Sequence, residues 1–125
     1  MTKEFIPYEQ ALALKELGFD ETCFMSYNPN PNWWDNYCTN SEISSLNGGS
    51  NVVCSAPLYQ QAFRWFREKY GYYADLFVDD DKTFGFMISS FVEEGVLEKP
   101  IIRKINSHEE AELECLNKLI EIVKL

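Results

Sequence analysis

The stretch SAPLYQQAFRWFREKYGYYADLFV, residues 55–78, decides the fold. In its first half Tyr59, Ala62, Phe63, Phe66 and Tyr70 recur at steps of three and four, with Gln60, Gln61, Arg64, Arg67 and Glu68 between them. That spacing predicts a helix with one buried aromatic face and places Trp65 off the centre of the stripe. Ser55 is the expected N-cap, its hydroxyl reaching the amide of Leu58, and Pro57 suits the first turn. Gly71 stops the helix. Beyond it the period drops to two, Tyr72, Ala74, Leu76 and Val78 alternating with Tyr73, Asp75 and Phe77. An aromatic helix therefore runs almost directly into a strand.

Working outward, DDDK (79–82) is a polar turn, and TFGFMISSFV (83–92) returns with Phe84, Phe86 and Ile88 on one side, which predicts a hairpin. A second turn at EEG (93–95) leads to VLEKPIIRKI (96–105), where Pro100 suggests an edge strand or an interruption. The last segment opens on a capping box, Ser107 to Glu110. Ala111, Cys115, Leu116, Leu119, Ile122 and Val123 then give helical spacing, so a helix is expected from 108 to about 122. Near the other end, PYEQALALKELGF (7–19) reads as a helix with Tyr8, Ala11, Leu12, Leu14 and Leu17 as its stripe. Gly18 is its left-handed stop, with Phe19 folding back on the last turn.

ETCFMSY (21–27) is a predicted strand with Cys23, Met25 and Tyr27 on one face, and NVVCS (51–55) a short returning one. Between them, residues 28–51 hold seven asparagines, two prolines and two glycines, and the Asn-Pro-Asn-Pro run resists helix and central strand alike. The segment reads as an insert in a single domain spanning 1–125, either a long loop or an irregular hairpin with short strands near Trp33 to Cys38 and Glu42 to Leu46. The order α-β-insert-α-β-β-β-α predicts an α+β fold, a small, mainly antiparallel sheet with three helices on one face.

Hydrophobic residues make up 46% of the chain, enough for a core, which excludes a disordered class. Twenty carboxylates against eleven Lys and Arg give a net charge of −9, which opposes phosphate backbones and favours a basic protein partner over nucleic acid. The helix, three strands and helix from 57 to 122 follow the order of a double-stranded-RNA-binding domain. The last helix, however, opens on Ser107, His108, Glu109 and Glu110 where that module needs cations. Thr2, Lys3 and Glu4 precede no apolar run, and no stretch of about eighteen apolar residues occurs. The expectation is a cytoplasmic protein that does not cross a membrane.

The segments PYEQALALKELGFDETCF, APLYQQAFRWFREKYGYY, TFGF and EEAELECLNKLIEIV together resemble a family of short uncharacterised proteins of gut Bacteroidetes and their phages. The resemblance covers both ends and the middle helix and fades through residues 28–51. It implies a phage or mobile-element setting and carries over no catalytic residue.

Cys54, beside Ser55 at the expected helix start, is the best nucleophile candidate, because a helix N-terminus favours a thiolate. The general base would have to be His108, the only histidine. Cys23, Cys38, Cys54 and Cys115 form no CxxC pair, and Asp79, Asp80 and Asp81 lack the glycine and glutamate of a calcium loop, so neither metal nor cofactor is expected. Arg64, Arg67 and Lys69 flank Trp65, a basic and aromatic cluster better explained by ion pairs within the fold. Trp33, Trp34 and Tyr37 sit in the polar insert, where no period accounts for their burial, and are the candidate partner-binding residues. The leading expectation is a non-catalytic interaction module. The alternatives are a small cysteine enzyme and a small-ligand-binding domain.

Overall fold

The computed structural model describes residues 4–27, 34–35, 39–41, 53–92, 95–96 and 101–124. The fold is α+β, with antiparallel pairing throughout. The strands divide between two sheets where the sequence suggested one, and the chain forms two compact units, Met1–Tyr59 and Gln60–Leu125.

In the first unit, α1 (Tyr8–Glu16) follows Pro7, which supplies no side-chain cap. Its end is a Schellman motif. Gly18 adopts φ 99°, its N–H donates to the Lys15 carbonyl, and the Phe19 N–H donates to Leu14 at 2.9 Å. That turn drives Phe19 into the core beside the buried Ala11 and Leu14 face of the helix. Three short strands, β1 (Met25–Tyr27), β2 (Trp34–Asp35) and β3 (Cys54–Ala56), form a sheet in the order β2-β1-β3. Tyr27 faces Cys54 across one ladder and Trp34 across the other. The Tyr27 hydroxyl donates to the Ile6 carbonyl at 2.7 Å, and Tyr8 meets its ring edge-on. Burial pushes the Tyr27 phenol up to about 12.

The second unit opens with α2 (Tyr59–Tyr70), whose first residue is the last of the first unit. Its buried face is Tyr59, Ala62, Trp65 and Phe66, so the stripe is rotated toward Trp65 and leaves Phe63 half-buried. Trp65 stacks edge-on against both Phe66 and Tyr70, and the Lys69 ammonium lies 5.1 Å from the Trp65 ring centre. Ser55 does not cap this helix. It belongs to β3, paired with Ser26, and helix geometry begins four residues later at Tyr59.

Gly71 leads into β4 (Tyr72–Val78), which pairs with β5 (Phe84–Val92) over seven consecutive residues without irregularity. β5 then pairs with β6 (Gly95–Val96) and β7 (Ile101–Ile105). α3 (His108–Lys124) packs across β5 and touches β4 and β7. The Ser107 hydroxyl accepts the Glu110 N–H at 3.1 Å, the first half of the capping box. Ala111, Cys115, Leu116, Leu119 and Ile120 are buried, facing the core with Phe86 and Ile88.

The opposite face of this sheet turns on Gly85. A Cβ there would overlap the Ile102 carbonyl oxygen and come 2.7 Å from the Phe77 ring, its cross-strand neighbour. The ring therefore lies over bare backbone. The Arg103 guanidinium stacks 5.2 Å from the ring centre and donates to Asp79 at 2.8 Å. A bulge makes that possible. Phe84 pairs with Ile105 and Phe86 with Ile102, so β7 carries one extra residue, and Lys104 takes φ 65°. Successive side chains of a regular strand point to opposite faces. Here Arg103 and Lys104 both reach the β4–β5 turn, Arg103 to Asp79 and Lys104 to Asp81.

Gly85→Ala must push either the Ile102 backbone or the Phe77 ring aside, which is expected to cost about 1–3 kcal/mol. Urea unfolding reads this directly, and a midpoint equal to that of the parent would contradict the packing described.

Candidate functional site

Cys54 is the first residue of β3, not a helix start, and is fully buried. Burial pushes its thiol up to about 11, with Lys15 only partly opposing the shift. Such a group is a protonated thiol at neutral pH and a poor nucleophile. Cys23 and Cys115 are also buried, none of the three is bridged, and burial raises Cys115 to about 12. His108 belongs to the second unit, on the exposed first turn of α3. Its ring meets Phe84 edge-on, and Nε2 lies 3.7 Å from the Glu112 carboxylate, itself raised by burial. The chemistry of each residue is thus taken up by its own surroundings, and nothing in either activates a Cys54–His108 pair.

Of the insert aromatics, Trp34 contributes backbone to β2, while Trp33 and Tyr37 lie outside the described residues. The aspartate turn is a structural latch. Asp79 holds Arg103 and Asp81 holds Lys104, and the Asp81 carboxylate also accepts the Thr83 hydroxyl at 2.6 Å and the Thr83 N–H at 3.2 Å. Its bonds to Lys104 and Thr83 hold the Asp81 carboxyl far below the usual range. Among the described residues no three His, Cys, Asp or Glu side chains gather closely enough for a metal ion. In the basic cluster on α2, Arg64 pairs with Glu68 at 3.5 Å and Lys69 sits over aromatic rings.

The residue that the sequence reading passed over is Asn40. It is buried within the polar insert, donates through Nδ2 to the Phe19 carbonyl at 2.7 Å, and accepts the Ser55 N–H at 2.9 Å through Oδ1. One amide thereby ties the insert to the end of α1 and to β3. Next to it the Asp20 carboxylate accepts both the Ser41 hydroxyl and, at 2.7 Å, the Ser41 N–H, bonds that lower its pKa. Lys15 donates to the Val53 carbonyl at 2.6 Å. These residues, with Gly18 and Phe19, surround an open recess of about 260 Å³. Its polar rim is engaged in holding the insert down. A TNS triplet at 39–41 is the only signal the sequence offers, and it reads equally well as loop.

No family model matches the chain, and no curated protein or solved structure is significantly similar to it.

Two outcomes follow from these environments. Asn40→Asp keeps the acceptor toward Ser55 but sets a carboxylate oxygen against the Phe19 carbonyl, a loss of about 2 kcal/mol or more in chemical denaturation at neutral pH. A loss near zero would remove Asn40 from its bridging role. Stability should also fall on the alkaline side. The raised groups, Cys54 at about 11 and Cys115 and Tyr27 at about 12, keep their protons in the folded chain after the unfolded chain has released them. Their contribution is complete below the unfolded values and is lost as pH climbs through the folded ones. The melting temperature is therefore expected to drop progressively above roughly pH 9, and a flat profile to pH 11 would contradict the burial of all three.

Proposed function

We propose that this protein is a non-catalytic interaction module, an accessory product of a phage or mobile element, acting on a protein partner of basic character. One observation carries the reading. Large apolar side chains stand on the surface of the second unit's sheet, Val78 at 63%, Ile101 at 48% and Tyr73 at 42% exposure, while the chain's described thiols are sealed inside. Exposed apolar groups of this size suit contact with another protein. The charge of −9 favours a basic one. No described helix is long and apolar enough to cross a membrane.

Affinity purification from lysate of a gut Bacteroidetes host, run with the parent chain and two double variants, tests this. A partner retained by the parent should be lost with Val78→Ser/Ile101→Ser if the sheet is the contact, or with Trp33→Ala/Trp34→Ala if the insert is. Retention undiminished by both variants, or a partner that proves to be nucleic acid, would count against the reading.

A further inference from the structure

We infer that β4 is a docking strand, and that an extended basic segment of a partner protein adds to the sheet along its outer edge. The inference deepens the interaction reading above and rests on it. Among the described strands β4 is hydrogen-bonded to β5 alone, which leaves it at one edge of the sheet, with β7 at another.

The two edges are built differently. β7 carries three features that disfavour strand addition: a bulge, a left-handed backbone at Lys104, and two adjacent cations. β4 carries none of them. Its seven residues pair without a bulge, none takes positive φ, and it holds no Lys, Arg or Pro. No residue of β4 is fully buried, although Tyr72, Leu76, Phe77 and Val78 are large and apolar. Phe77 is held in place by Gly85 beneath it and Arg103 above it, so the strand presents a fixed surface. An incoming strand would gain main-chain hydrogen bonds along this edge, with alternate side chains setting specificity.

The occupant is chosen by charge. The single ionised side chain of β4 is Asp75, at its midpoint and exposed. A second copy pairing antiparallel over the whole strand would set Asp75 against Asp75, between two chains of charge −9 each. Like charges directly opposite disfavour pairing, whereas Lys or Arg at that position favours it. A foreign segment with a cation opposite Asp75 and apolar residues on either side is the complement.

Selection of a random peptide library on the full chain, followed by amide hydrogen exchange of the complex, tests the proposal. Selected peptides should carry a basic residue flanked by apolar ones and slow exchange along 72–78. Asp75→Lys should weaken them by roughly ten-fold, about 1.4 kcal/mol, and N-methylation of alternate peptide amides should abolish binding to the parent chain. If Asp75→Lys fails to fold, the N-methylated peptides alone decide. Peptides that protect other residues, an acidic consensus, indifference to N-methylation, or a dimer that itself protects 72–78 would each overturn the proposal. A lysate partner still lost with Trp33→Ala/Trp34→Ala would then leave the interaction reading standing without β4. An empty selection together with an empty lysate capture would remove both.

Discussion

Gly85 is the point around which the second unit's sheet is arranged. With no side chain there, the β7 backbone comes close enough for the Ile102 carbonyl to occupy the space a Cβ would take, and the Phe77 ring settles over the gap from the other side. The ring then supplies a platform for Arg103, which in turn holds Asp79 at the start of the hairpin turn. A glycine inside a strand ordinarily weakens it. Here the loss is offset by an aromatic cover and a charged tie, and the opposite face remains available for α3 to bury Phe86 and Ile88.

The first unit is held by different means. Its strands are two or three residues long, too short for their ladders to fix much chain. To its apolar core it adds polar contacts between distant segments: Tyr27 to Ile6, Asn40 to Phe19 and Ser55, Lys15 to Val53. Such groups lose more when a partner is removed than they contribute when satisfied. The second unit buries its apolar area between a helix and a longer, regular sheet.

Where local chemistry alone determines conformation, the fold was legible. Gly18 followed by Phe19 signals a Schellman ending, and Ser107 with Glu110 signals a cap, because both motifs are closed within a few residues. The alternation of 72–78 and 84–88 gave the hairpin for the same reason. Ser55 was misread because two uses of one residue compete, and its ladder pairing with Ser26 prevails over capping. Trp65 replaced Phe63 at the centre of its helix because periodicity locates a stripe only to within one position. Asn40 was illegible for a deeper reason. Its partners lie 21 and 15 residues away, and no local pattern encodes a bond across that separation.

The extra residue in β7 also fixes alignment. In a uniform ladder a strand can slide by two positions and keep the same side chains inward, so neighbouring alignments differ little in energy. The interruption at Arg103 and Lys104 removes that freedom, since it fits only where β5 offers Gly85 between Phe84 and Phe86. Any other alignment would press a side chain into the space the glycine leaves open and part both cations from their aspartates. The irregularity thus acts as a key, admitting one alignment of the last strand.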